Sequence, residues 1–338
     1  MAVYTELSNS DIEIFLKDYD LGKLIKFIPI IEGVENTNYK IITSKRIFIL
    51  TIFEERVSEN DLPFFIELQH HLSKKNIKCP QPIANKSKSY INTIKNKKCV
   101  LMSFLDGKKL KDPKNLHCYQ LGHEISKMHM YTKDFSLNRN NNLNHLSWKN
   151  LYEKCKKLSS FNPKFKKLYK NYKYENKKIN NDNELFNIIE DELAFLEEKW
   201  PKNLPLGVIH ADMFQDNVFF INDNLSAIID FYFSCNDYYA YELAICINAW
   251  CFDLKNFNNT KFKSIIEGYE SIRKLDYSEK TSLPILLRGA AMRFFLTRFH
   301  DQIYQKNKAI VIQKDPKEYF EILFFHKNFQ KNNFKYGS

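Results

Sequence analysis

The sequence predicts an α+β chain of two lobes, an antiparallel sheet carrying one main helix followed by a mostly helical lobe. Three observations carry that prediction. The chain is 338 residues long, more than one hydrophobic core comfortably serves. Short β-branched and aromatic runs crowd the first hundred residues, with one long stretch of helical period among them. Beyond residue 108 the spacing turns largely helical, and Asp106-Gly107 stands between the two patterns like a hinge. The boundaries read as a first lobe over 1–102, a hinge over 103–108 and a second lobe over 109–338.

Ser8, three residues before Asp11, opens a short helix whose apolar positions are Ile12, Phe15 and Leu16 and which stops near Gly22. Residues 24–31, 38–43 and 46–53 read as strands, the last two separated only by Ser44 and Lys45. Leu62, Phe64, Phe65, Leu68 and Leu72 repeat with helical period over 61–72. Cys79-Pro80-Gln81-Pro82 breaks the chain, and 89–94 with 99–105 form a second hairpin. In the second lobe, Leu121, Ile125 and Met128 mark a helix over 119–131, and 138–144 is a polar loop of almost pure Asn. Further helices are expected over 184–200, stopped by Pro201, and over 239–251, 260–272 and 283–304. His129 and the aromatic residues Tyr232 and Trp250 read as core positions, the latter two equally as walls of a site. No internal repeat is present.

Composition narrows the function. No apolar run approaches 18 residues, and Glu6, Asp11 and Glu13 interrupt the N-terminal stretch, so neither a membrane span nor a signal peptide is expected. Seven scattered cysteines without a C-x-x-C pair point to a reducing cytoplasm rather than to zinc or redox chemistry. The net charge of +11 invites a nucleic-acid reading, but only seven of the 51 basic residues are Arg, the residue that reads phosphates and guanine bidentately. The lysines alternate with asparagines along the whole chain, as at solvated positions, and no nucleic-acid partner is expected.

The chemistry concentrates between Gly207 and Cys251. His210-Ala211-Asp212 is followed five positions on by Asn217, then by an apolar hairpin around Asn222-Asp223-Asn224, then by Asp230-Phe231. Kinases arrange a catalytic-loop Asp, an Asn five residues later and a second Asp before Phe in that order. The residue types suit the task. A metal chelated by a triphosphate asks for oxygen donors, which the Asn217 amide and the Asp230 carboxylate supply. A separate carboxylate, Asp212, can accept the proton of an attacking hydroxyl and align it.

This stretch resembles the catalytic segment of the aminoglycoside-phosphotransferase/choline-kinase superfamily, H-G-D-x-x-x-x-N followed by I-D-F. Blocks along the whole chain are similar to the homoserine kinases within it: 1–5, 32–39, 48–51, 61–65, 207–212, 229–233, 248–252 and 288–291. The resemblance implies a protein-kinase-like fold and ATP:L-homoserine O-phosphotransferase activity in threonine biosynthesis, with ATP and Mg²⁺. Asp212 is then the catalytic residue, Asn217 and Asp230 are the metal ligands, and His210 and Glu242 support the catalytic loop. ATP meets Gly33, Asn36 and Asn38, the hinge at Ser103 and Leu105, and Thr51, which stands where the superfamily places Lys or Arg. Arg56 is a candidate for the missing charge. For the acceptor, Asp237 is the candidate for the ammonium, and Arg293 and Arg298 for the carboxylate. Gln215, Met213 and Glu242 depart from the usual Pro, Leu and Asp. The rival is a kinase of the same superfamily for another hydroxyl acceptor, such as choline or an aminoglycoside; Thr51 and the 248–252 block speak for homoserine. A monomer in the cytoplasm is expected, with a small molecule as its partner.

Overall fold

The structure is a computed structural model that describes residues 4–31, 36–54, 57–160, 165, 169, 172–174, 177–304 and 314–331. Ser8 and Asp11 cap helix α1 (Asn9–Leu16) reciprocally, the Asp11 N–H donating to Ser8 Oγ at 3.2 Å and the Ser8 N–H to Asp11 at 2.8 Å. Strands β1 (Leu24–Ile30), β2 (Thr37–Thr43), β3 (Ile47–Ile52), β4 (Ile91–Ile94) and β5 (Lys97–Ser103) form one antiparallel sheet in the order β1-β2-β3-β5-β4. Period-two alternation sorts their side chains. Tyr39, Ile41, Phe48, Leu50, Ile52, Cys99 and Leu101 close a small core against Ile12, Phe15 and Leu16 of α1. Val100 and Met102 turn the other way, into the large core shared by α2 (Leu62–Lys74) and the second lobe. Asn38, Lys40, Ile49 and Thr51 follow the same alternation and lie on that second face, the one that looks toward the catalytic segment.

The connection between the lobes is anchored on the hairpin of β7 (Val218–Ile221) and β8 (Asn224–Ile228). Lys108 and Phe220 exchange backbone hydrogen bonds at 3.0 and 2.9 Å, and the Asp106 carbonyl accepts from Ser226 Oγ at 2.8 Å. Gly107 between them has φ +139°, and Ser226 Oγ occupies the space a Cβ would need. Only glycine fits there.

The second lobe is built from α3 (Asn115–Tyr131), α4 (His145–Ser159), α5 (Asp182–Lys199), α6 (Tyr239–Trp250), α7 (Asn259–Glu270), α8 (Tyr277–Ile303) and α9 (Pro316–Lys331). Helix α6 is buried on every side, and α8 packs against α4, α6 and α9. Before and after the hairpin, β6 (Leu206–Ile209) and β9 (Cys235–Tyr238) pair antiparallel, with Ile209 opposite Cys235 and Gly207 opposite Asp237. No helix among the described residues is long and apolar enough to cross a membrane.

Three differences from the sequence reading have physical causes. Helix α4 follows the Asn-rich loop directly: Asn144 caps it, accepting from the Leu146 N–H at 3.0 Å, and Trp148, Tyr152 and Cys155 form its buried stripe amid lysines. Helix α8 begins six residues before the expected start, because Asp276 and Glu279 make a capping box upstream of Pro284, which the helix tolerates in its interior. Helix α9 buries Tyr319, Phe320, Ile322 and Leu323, an aromatic stripe in a tail whose Lys and Asn content hid it.

Helices α3 and α7 cross so closely that a Cβ at Gly122 would collide with the Ile265 carbonyl oxygen, and one at Gly268 with that of Tyr119. Gly122→Ala is therefore expected to destabilise the fold by about 1–3 kcal/mol, although helix propensity alone favours Ala by about 1 kcal/mol. The check is urea unfolding, read as a lower midpoint at unchanged m. A variant as stable as the parent would mean that the two helices do not meet there.

Candidate active site

Strand β6 ends at Ile209, and the chain then turns through Ala211, whose φ is +64°. Both flanking peptide units are held. The His210 N–H and the Ala211 N–H, the latter at 3.0 Å, donate to Glu242 Oε2, and the Ala211 carbonyl accepts from Arg293 Nη1 at 2.6 Å. Glu242 lies in the first turn of α6 and is fully buried. Burial pushes its carboxyl up to about 7, against the opposing pull of the two N–H groups and of Arg293.

Asp212 follows, partly exposed. Asn217 Nδ2 donates to the Asp212 carbonyl at 2.8 Å and to its carboxylate Oδ2 at 2.9 Å. The amide nitrogen is thus committed to Asp212, which leaves Asn217 Oδ1 as the atom for a cation. Asn217 is also tied to the residue before Asp230, since the Ile229 N–H donates to its carbonyl at 2.9 Å.

His210 makes the second link between the two acidic positions. Its Nε2 lies 2.9 Å from the Ile229 carbonyl and its Nδ1 3.3 Å from the Asp212 N–H. The neutral ring protonated on Nε2 satisfies both bonds, and burial, by pushing the pKa down to about 4, keeps the ring neutral. Phe231 packs edge-on against it at 4.6 Å. Asp230 itself has φ +64° at the entry to the 3₁₀ turn Phe231–Phe233. Two non-glycine residues in the left-handed region therefore flank the site. The donor set fits Mg²⁺, because an amide oxygen and a carboxylate are hard ligands that leave positions for water and phosphate.

On the sheet, Thr51 is buried and donates to Asn38 Oδ1 at 2.7 Å, directly across the β2–β3 ladder. Asn36 continues the row, its Oδ1 accepting from the Glu54 N–H at 3.4 Å. Gly33 and Arg56 lie outside the described residues. At the far end of β5, Ser103 Oγ accepts from the Gln81 N–H at 2.8 Å, and Leu105 follows half-buried. Lys40, on the same face as Asn38, places Nζ 4.2 Å from the Phe104 ring. Sequence reasoning passed over this cation, though the β2 alternation puts it beside Asn38. Tyr232 packs edge-on against Phe53 and Phe65 at 5.1 and 5.8 Å, which joins the turn after Asp230 to the sheet and to α2.

On the other side stands Asp237 of β9. Its Oδ2 accepts from Asn141 Nδ2 at 2.7 Å and its Oδ1 from the Tyr238 N–H at 2.7 Å; burial nevertheless raises its pKa. The Asn-rich loop runs along β9, with the Asn236 N–H donating to the Arg139 carbonyl at 2.7 Å and the Arg139 N–H to Asn236 Oδ1 at 2.9 Å. The sequence shows this wall only as a polar loop, and nothing local in it singles out Arg139, which also pairs with Asp61 at 2.8 Å. Of the two arginines expected near the acceptor, Arg293 is packed under the catalytic loop. Arg298 pairs with Glu318 of α9 at 2.6 Å and with the Asp315 carbonyl at 3.3 Å. The structure thus joins His210, Asp212, Asn217, Glu242 and Arg293 in one network that reaches Ile229, next to Asp230.

The profile of the phosphotransferase enzyme family matches residues 26–275. A homoserine kinase of Parvibaculum lavamentivorans is 42% identical over 97% of this chain and 96% of its own. One of Agrobacterium fabrum is 42% identical over 97% and 96%. Among solved structures, choline kinase from Cryptosporidium parvum superposes with a TM-score of 0.67 at 15% identity, over 96% of each chain. Amicoumacin kinase in complex with AMP-PNP, Ca²⁺ and Ami gives 0.65 at 15% identity, over 97% of this chain and 95% of that one. At that identity the likeness is one of fold, and it is the two-lobed kinase-like fold expected from the sequence.

The neutral state of His210 sets a pH dependence. Its folded pKa, about 4, lies below the ordinary 6.5, so between those values the unfolded chain binds a proton that the folded chain does not. Its contribution to stability is present above pH 6.5 and is lost as pH falls toward 4. Buried His129 and His326 act in the same direction, while Glu242 and Asp237, whose carboxyls burial raises, act against it. The thermal midpoint should fall over this window, and less steeply in a His210→Gln variant. Equal slopes would show that His210 titrates as freely folded as unfolded.

Proposed function

Because the chain belongs to the phosphotransferase enzyme family, we propose that it transfers the γ-phosphoryl group of ATP to the side-chain hydroxyl of L-homoserine, yielding O-phospho-L-homoserine and ADP. The reaction class rests on one observation above the others: Asp212 is held by Asn217, whose own backbone is hydrogen-bonded to the residue before Asp230. The choice of acceptor rests on the full-length likeness to homoserine kinases, since the catalytic residues alone fix a reaction and not a substrate.

Asp212 accepts the proton of the homoserine hydroxyl and aligns its oxygen with the γ-phosphorus. In phosphoryl transfer the transition state is loose, so alignment contributes more than full deprotonation. Asn217, its amide oriented by Asp212, and Asp230 would hold Mg²⁺, which would supply positive charge to the phosphoryl oxygens. Glu242 and His210 keep the loop in place. The lobe over 1–102 covers the nucleotide through Gly33, Asn36, Asn38 and Thr51, and the hinge over 103–108 meets adenine at Ser103 and Leu105.

Homoserine lies on the lobe over 109–338. Asp237, oriented by Asn141, takes the ammonium, and the positive charge of Arg298 favours the carboxylate. Product of this kind serves threonine biosynthesis, and a cytoplasmic monomer with small-molecule partners fits the reading.

The direct test is ADP release with Mg·ATP and a panel of hydroxyl acceptors, in which L-homoserine should lead. Choline or an aminoglycoside turned over with a kcat/KM about ten times higher would overturn the acceptor.

Asp212→Ala should separate alignment from nucleotide binding. Affinity for ATP should stay within a few-fold while kcat falls by roughly 10²–10⁴, the range for a positioned acid–base group. Calorimetry showing Mg·ATP binding abolished in a folded variant would instead make Asp212 a ligand of nucleotide or metal.

A further inference from the structure

We propose that Arg293 is a positioning residue of the catalytic loop: with Glu242 it fixes the backbone of Ala211 in the left-handed region, and so sets where the Asp212 carboxylate stands. The proposal deepens the reading given above, since it takes Asp212 as the group that orients the acceptor hydroxyl.

An L-residue other than Gly, Asn or Asp has little reason to adopt φ +64°, because Cβ crowds the backbone and Ala has no polar side chain to compensate. Something outside the residue must hold it. The conformation of a residue is the orientation of one flanking peptide plane relative to the other. Here each plane has its own anchor. The plane between residues 210 and 211 is held by the Ala211 N–H on Glu242 at 3.0 Å, and the plane between 211 and 212 by the Ala211 carbonyl on Arg293 Nη1 at 2.6 Å. The second plane is the one that carries Asp212.

Arg293 is placed for this task and poorly placed to grip a solute. It is 2% exposed, its guanidinium lies 4.4 Å from the Phe294 ring centroid and 5.7 Å from that of Phe233, and its Nε has no hydrogen-bond partner. Its charge faces two carboxyls, the buried Glu242 and the half-buried Asp237. The cation is thus retained inside the lobe, with a directed hydrogen bond on the Ala211 carbonyl.

A double-mutant cycle tests this, on Arg293→Met, Ala211→Gly and the combined variant, each assayed for kcat and for KM with homoserine and with ATP. Without the Arg293 anchor, Ala211 should leave the left-handed region, and Asp212 should move with it. Glycine has no such preference. Arg293→Met made in the parent enzyme should therefore lower kcat at least tenfold, with both KM values within about threefold. Made on top of Ala211→Gly, the same substitution should cost about threefold or less. A purely structural role would not produce that dependence on residue 211. If Arg293→Met does not fold, Arg293→Gln, polar but too short to keep the same bond, takes its place with the same two readouts. A homoserine KM raised tenfold or more at unchanged kcat would make Arg293 a contact of the acceptor and overturn the proposal; so would an equal loss of kcat in both backgrounds. Should the parent enzyme not use homoserine at all, the acceptor assignment falls, and the cycle is read with the acceptor it does turn over.

Discussion

The site depends on a carboxylate that never meets solvent. Glu242 sits in the first turn of a helix buried on every side and accepts two consecutive backbone N–H groups from the end of β6. Burial, and to a lesser degree the charge of Asp237, penalises its ionised form, and the two donors together with Arg293 offset that cost incompletely, which leaves its pKa at about 7. Because α6 is wedged into the core, whatever Glu242 holds becomes as rigid as the core itself. Where the related pattern has Asp, the longer Glu still reaches both N–H groups through one oxygen, so the extra methylene does not loosen the brace.

From that anchor, order passes outward through neutral groups. His210, kept uncharged by burial, ties the Asp212 N–H to the Ile229 carbonyl, and Asn217 ties the Asp212 carboxylate to its own backbone link with Ile229. Two loops separated by a hairpin are thus cross-linked twice, immediately before each acidic residue. Both loops include a residue at φ +64°, a conformation that survives where its surroundings over-determine it.

How much of this was legible in the sequence follows from what each feature depends on. The strands were readable because alternation is local, and the order of Asp212, Asn217 and Asp230 because the chemistry fixes their spacing along the chain. Helices α4 and α9 were not, since their buried stripes are aromatic and lie within Lys- and Asn-rich composition that reads as solvated loop. The start of α8 was masked by Pro284, although Asp276 and Glu279 carried a capping signal. What an internal arginine points at depends on tertiary packing, so Arg293 read as a substrate ligand and was found under the Ala211 carbonyl. The Asn-rich loop gave no sign that Asn141 would reach Asp237, because that contact spans 96 residues.

The sheet side of the cleft carries the remaining consequence. Where the family pattern has a cation on the third strand, the buried Thr51 hydroxyl is used on Asn38, and the pair is neutral. Lys40 stands on the same face but toward the hinge, beside Phe104. In the proposed reaction the metal that Asn217 and Asp230 would hold meets the charge of the triphosphate from the opposite wall. The Asp212–Asn217–Ile229 connections set the aligning carboxylate beside that wall, which is a physical reason for bracing the segment from α6, from α8 and through His210 at once.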